Sequence, residues 1–144
     1  MGCNSGNWES QAVRERIDRT MSARERIIFE DVKNILAAPI DWYKLKDSTI
    51  LITGAMGFFA SYMMETLLAF GDVMGYGARA PQLIGLVRNL DHGQARFRKY
   101  IRNPSLHLVE QDVCDALPEN FHADFIVHAA SPASPQLFGR DPIG

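Results

Sequence analysis

The stretch from Ser48 to Ala60 constrains this chain more than any other. Ser48-Thr49-Ile50-Leu51-Ile52 is a short, β-branched apolar run that reads as a buried strand, and it passes directly into Thr53-Gly54-Ala55-Met56-Gly57-Phe58-Phe59-Ala60. A helix is predicted from Phe58 to about Phe70. Such a strand–turn–helix unit leaves backbone N–H groups bare at a helix amino terminus, where concentrated negative charge binds. Gly54 lets the strand turn sharply, and Gly57 removes a side chain that would stand in the way of phosphates. Ala60 is small enough for the helix to pack closely on a sheet. The expectation is a set of bare amides between Thr53 and Phe59 aimed at a diphosphate.

The rest of the chain after Lys46 alternates in the same way. A loop with Gly71, Gly75, Gly77 and Pro81 ends the first helix. Strands are predicted at Leu83–Val87, His107–Glu110 and Phe125–His128, with a polar, basic helix around Gln94 to Tyr100. Near-continuous apolar strands separated by helices indicate a parallel sheet covered on both faces. The predicted fold is α/β, a doubly wound sheet of Rossmann type with strand order 3-2-1-4, apparently incomplete at its first four strands.

Residues 1–46 read as a helical extension, and 47–144 as the amino-terminal portion of the sheet domain. Ser22 and Glu25 have capping-box spacing for a helix from Ala23 to about Ala37. Ile28, Val32, Ile35 and Leu36 form its apolar stripe, and Pro39 marks its stop. Ser10 to Thr20 is a weaker, charged helix. A net charge of −2 with no basic stripe excludes a nucleic-acid binder. No apolar run is long enough to cross a bilayer. The start Met1-Gly2-Cys3-Asn4-Ser5-Gly6 lacks the Ser or Thr that a myristoylation signal needs at its sixth position. Cys3 and Cys114 have no metal-ligand or CxxC spacing, so a reduced, cytoplasmic setting is expected.

The segment Thr53 to Ala60 resembles the T-G-x-x-G-F-x-G/A signature of the extended short-chain dehydrogenase/reductase superfamily, also called the NAD-dependent epimerase/dehydratase family. The likeness runs from about Leu45 to the last residue, with Ala60 in place of the commoner third glycine. It implies that Gly54, Met56, Gly57, Phe58 and Phe59 line a nicotinamide cofactor, NAD or NADP. At the end of strand two the family selects between them. An acidic residue there binds the ribose of NAD, whereas Arg accepts the 2′-phosphate of NADP. This chain offers Arg88 beside Asn89, and a solvated surface charge is the alternative for Arg88. Asp112-Val113 follows strand three, where the family contacts adenine; the alternative is a turn in which Asp112 caps a local N–H.

Strand four ends in His128-Ala129-Ala130-Ser131-Pro132-Ala133-Ser134-Pro135. Small residues at Ala129, Ala130 and Ser131 let backbone approach the ribose and nicotinamide. This segment resembles the H-x-A-S-P-A-S-P of UDP-glucuronate decarboxylases, relatives of the dTDP-glucose 4,6-dehydratases, and Asp141-Pro142-Ile143 extends the likeness. It implies a nucleotide-sugar substrate, a dimer when complete, and oxidation of a sugar hydroxyl by hydride transfer with the hydride commonly returned. His128 reads as a packed strand residue.

The resemblance also implies a catalytic Tyr-x-x-x-Lys pair, which would share one helix face. Four positions after Tyr43, Tyr62, Tyr76 and Tyr100 stand Asp47, Thr66, Ala80 and Pro104, so no pair is present. The chain is therefore expected to be a fragment, lacking catalytic residues and any metal site, with strand four an apolar edge. The alternatives are an NADP-dependent reductase of the same superfamily and a non-catalytic cofactor-binding module.

Overall fold

The structure, a computed structural model, describes residues 22–73 and 79–130. The weaker helix expected over Ser10–Thr20, the loop glycines Gly75 and Gly77, and Ser131 onward lie outside the described residues. The elements in order are α1 (Ala23–Leu36), a 3₁₀ turn (Trp42–Leu45), β1 (Thr49–Thr53), α2 (Phe58–Val73) and β2 (Gln82–Val87). There follow α3 (Leu90–Arg96), a second 3₁₀ turn (Arg98–Tyr100), β3 (Leu106–Glu110) and β4 (Phe125–His128). No helix of the described residues is long and apolar enough to cross a membrane.

The four strands form one parallel sheet, as the alternation of elements predicts, in the order β3-β2-β1-β4 expected of a Rossmann-type sheet. The chain builds outward from β1 to β3 and then returns to the other side of β1, placing Thr53 opposite His128. The gap between the carboxyl ends of β1 and β4 is therefore the topological switch point, where open sheets of this kind take their ligands.

The core lies between the sheet and α2. Ile50, Ile52 and Leu83 meet Met64 and Leu68 across it, and Phe97, at the end of α3, closes one side. Glycine at 93 lets α3 lie close over the Val87 and Leu108 side chains of the same sheet face. Thus α2 and α3 gather on one face. The expected cover on both faces is met on that face only by the described residues, because the chain from Gln111 to Asp124 contains no helix. In β4, Phe125 is 44% and Ile126 64% exposed, an apolar strand paired with β1 alone among the described residues. Such an edge favours association with further chain.

The helix α1 forms as its capping box dictates. Ser22 Oγ accepts the Glu25 N–H at 3.3 Å, and Glu25 Oε2 accepts the Ser22 N–H at 2.8 Å. The Ser22 hydroxyl, which donates to Glu25 Oε2 at 2.7 Å, and then the Ser22 N–H hold the Glu25 carboxyl below its ordinary pKa. Ile28 and Val32 are buried, Leu36 is half-buried, and Ile35 is 40% exposed. Ile35 departs from the predicted stripe because it lies in the last turn, where the chain leaves at Ala37. Tyr62 Oη donates to Asp31 Oδ2 at 3.4 Å, so α1 lies against α2.

The third helix begins earlier than expected, at Leu90 rather than near Gln94, because Asn89 supplies an amino-terminal cap. It then tightens into the 3₁₀ turn at Arg98. Its basic side chains are partly turned inward. Arg96 and Lys99 reach Glu65, a residue of α2 that is 1% exposed, with N···O distances of 2.6 and 3.0 Å. Arg96 also donates to Ser61 Oγ at 3.0 Å.

Candidate functional site

The glycine turn is fixed by two independent demands on Gly54. Its φ is +62°, a conformation that side chains rarely adopt. A Cβ there would also stand 2.8 Å from Ala129 O and from Ala130 N and Cα, all backbone atoms. The turn and the chain leaving β4 are thus in direct contact. The spacing of Gly54 conveyed the sharp turn; the close approach of Ala129 and Ala130 depends on the strand order.

Thr53 holds the same junction. Its Oγ1 accepts the N–H groups of Ala129 at 3.2 Å and Ala130 at 3.3 Å, and lies 3.0 Å from His128 Nδ1. Two amides occupy both hydroxyl lone pairs, so the hydroxyl proton goes to His128 Nδ1 and the ring carries its own proton on Nε2. His128 is exposed and bonded through its ring, not the packed strand residue its apolar neighbours predicted. Sequence reasoning passed over Thr53; the available signal was a hydroxyl residue immediately before the first glycine. Thr53→Val is expected to cost about 2 kcal/mol, since it leaves two half-buried amides without acceptors, whereas Thr53→Ser retains most of that stability. Urea denaturation of the two variants measures the difference.

The amides of the turn divide into two groups. Ala55 N–H is spent on Leu86 O at 3.2 Å and Gly57 N–H on Gly54 O at 2.8 Å. These two correct the expectation that the whole run from Thr53 to Phe59 is bare: the first ties the turn to β2, and the second closes the turn itself. The N–H groups of Met56, Phe58 and Phe59 donate to no acceptor among the described residues. They sit at the positive end of a 16-residue helix. A Cβ on Gly57 would meet only Gly54 O, at 3.1 Å, among the described residues, so space remains on that side. Ala60 is buried against the sheet, as its size predicts. Phe58 is 82% exposed and its ring lies tilted against that of Tyr62, with centroids 5.2 Å apart; Phe59 and Met56 also face outward.

At the carboxyl ends of β2 and β3 the polar groups are mostly committed. Asn89 Oδ1 accepts the His92 N–H at 2.8 Å. Glu110, which sequence reasoning did not single out, accepts the Leu90 N–H at 2.6 Å. Asp112 Oδ1 accepts the Cys114 N–H at 2.9 Å, the local cap that was one of its two readings. That bond, with a smaller contribution from Arg88, holds the Asp112 carboxyl below its usual range, and Asp112 in turn raises the exposed Cys114 thiol. Val113 is exposed. Arg88 is exposed and makes no hydrogen bond or ion pair with a described residue. Ala129 and Ala130 are half-buried beside Gly54, so the structure joins them to the glycine turn, while Arg88, Asn89 and Asp112 mark the neighbouring strand ends.

A parallel four-stranded sheet in this order, with helices between its strands, is a Rossmann-like α/β arrangement. The chain is 28% identical over 101 residues to UDP-glucuronic acid decarboxylase 2 of Arabidopsis thaliana. That weak identity points to the NAD-dependent epimerase/dehydratase superfamily. The match takes in 69% of this chain and 20% of the plant protein, so the chain spans about a fifth of its relative's length. No family model matches the chain. No solved structure matches it either.

Proposed function

We propose that this chain is the nicotinamide-cofactor-binding part of an enzyme that modifies nucleotide sugars, of dehydratase, decarboxylase or epimerase type. The observation that carries the reading is the pair of uncommitted amides, Phe58 and Phe59, at the head of α2 beside the switch point. The open side of Gly57 leaves room there for a diphosphate, so the residues present fit a dinucleotide. In this reading Gly54, Met56, Gly57, Phe58 and Phe59 hold the diphosphate by their backbone. Arg88, Asn89, Asp112 and Val113 flank the adenosine half, and Ala129, Ala130 and Ser131 admit the ribose and nicotinamide. Thr53 keeps the Ala129–Ala130 backbone in place against the turn. When bound, the nicotinamide supplies hydride acceptance from a sugar carbon and its return.

The named activity of the plant relative supports a nucleotide sugar as substrate. The complete enzyme is read as a cytoplasmic homodimer, with α1 of the amino-terminal extension packed on α2. An amide NMR titration of the chain with NAD⁺ tests the cofactor reading: shifts confined to Gly54–Phe59, Arg88–Asn89, Asp112–Val113 and Ala129–Ser131 are expected, even if affinity is weak. Saturable shifts elsewhere, or none at millimolar NAD⁺, would overturn it. The chain alone is expected to turn over no nucleotide sugar, and product formed from UDP-glucuronate by the purified chain would contradict that.

A second reading, NADP in place of NAD, is favoured by one observation. Asn89 and Glu110 are spent on the start of α3, leaving Arg88 as the group able to contact a 2′-substituent. Arg88→Asp is then expected to lower the preference for NADP over NAD by about tenfold or more. Fluorescence titrations of NADPH and NADH, in the longer natural protein and its variant, give that ratio directly.

A further inference from the structure

Strand β4 has an open side. It pairs with β1 alone among the described residues, so alternate backbone N–H and C=O groups on its far side meet no described strand. Its side chains are open too. Phe125 and Ile126 point to opposite faces of the sheet and both are exposed, because α2 packs over β1 and β2. Folded proteins blunt such edges with lysine, proline or a covering element. Neither Lys nor Pro interrupts the run Phe125-Ile126-Val127-His128.

We infer that a second copy of this chain takes this edge, β4 against β4, antiparallel about a twofold axis at Ile126. A twofold axis makes one patch serve both sides, so each residue of the edge must suit the residue opposite it. This register sets Ile126 beside the partner's Ile126 and Phe125 beside the partner's Val127, apolar cross-strand pairs of the stabilising kind. It also sets His128 beside the partner's Asp124. His128 has Nδ1 on Thr53, which leaves its Nε2–H to donate. Asp124 accepts the Thr49 N–H through Oδ2, and its Oδ1, beside His122, has room for a second donor. Centring on Phe125 or on Val127 instead would set His128 against the partner's His122 or the partner's Ile126, and the charge match is lost. This edge is independent of the cofactor reading, because no residue of the glycine turn takes part.

Sedimentation of the 144-residue chain tests this. One short strand falls well below a standard interface, so half-association is expected at roughly 0.1 mM, with a species of twice the chain mass. Ile126→Lys, which faces two like charges across the axis, should weaken the dimer about tenfold or more. Ile27→Lys, at an exposed apolar position on α1, should leave it unchanged. Circular dichroism reports whether each variant is folded. A cross-link decides the register, and decides alone if Ile126→Lys does not fold. In a Cys3→Ser, Cys114→Ser background, Ile126→Cys should form a disulfide-linked dimer with diamide, which takes two electrons and two protons from the thiols as it becomes the hydrazine. Ile27→Cys in the same background should stay unlinked. A monomer at every concentration would assign the edge to some other strand and overturn the inference. An undiminished dimer in folded Ile126→Lys, or no more cross-linking through Ile126→Cys than through Ile27→Cys, would overturn it as well.

Discussion

Gly54→Ala is expected to lower the stability of this chain by about 3–5 kcal/mol, the largest loss available to a single methyl group here. Two costs combine. Holding a side chain at φ +62° costs roughly 1–2 kcal/mol. The new Cβ would also meet Ala129 O and the Ala130 backbone at 2.8 Å, and backbone atoms cannot rotate aside as a side-chain tip can. Relief requires the end of β4 to move away from β1, which breaks the bonds from Ala129 and Ala130 to Thr53. Gly57→Ala supplies the contrast. Its Cβ meets one carbonyl oxygen at 3.1 Å, so stability should fall by only about 1 kcal/mol while NAD⁺ binding suffers more. Urea unfolding of both variants decides the matter, and a loss below about 1 kcal/mol for Gly54→Ala would show that the junction is not as rigid as the geometry requires.

Glu65→Gln is expected to cost about 3 kcal/mol, although it changes neither size nor shape. Its carboxylate is 1% exposed and takes Arg96 at 2.6 Å on one oxygen and Lys99 at 3.0 Å on the other. Removing the charge leaves two cations facing each other with no counter-ion. The figure sits at the low end for a buried pair because Arg96 and Lys99 are 22% and 36% exposed and can turn toward water. Burial pushes the Lys99 ammonium down, but Tyr100 and Glu65 together outweigh it and hold it above its ordinary pKa. Replacing Glu65, Arg96 and Lys99 all by methionine should recover much of the loss, because no orphaned charge then remains. Thermal denaturation of the single and triple variants separates the two cases. Equal destabilisation in both would mean that packing, not charge pairing, joins α3 to α2.

Much of this architecture was legible in the sequence because local signals carried it. Ser22 and Glu25 name the start of α1 three residues apart, and their two bonds form within one turn whatever the chain does elsewhere. The β-branched run into Gly54 marks the end of β1, and the apolar run at Phe125–His128 coincides with β4. The order β3-β2-β1-β4 followed from the Rossmann-type assignment carried by the glycine turn, since alternation and right-handed crossovers would equally allow the order 2-1-3-4. The start of α3 was misplaced because Asn89 was weighed as a contact for cofactor, while its side chain caps the helix.

The sequence by itself determined the type of each strand and helix and the sharp turn at Gly54, because each depends on backbone geometry within a few residues. Only the tertiary structure decided which polar groups are committed: Thr53 to the chain after β4, Glu110 to the start of α3, Glu65 to a basic segment some thirty positions away. The physical reason is that a side chain's partner across a sheet or between helices is set by register and packing, which sequence spacing does not encode. Amides at Ala55 and Gly57 illustrate the same division, since the glycine pattern predicts a turn but not which of its N–H groups the fold consumes.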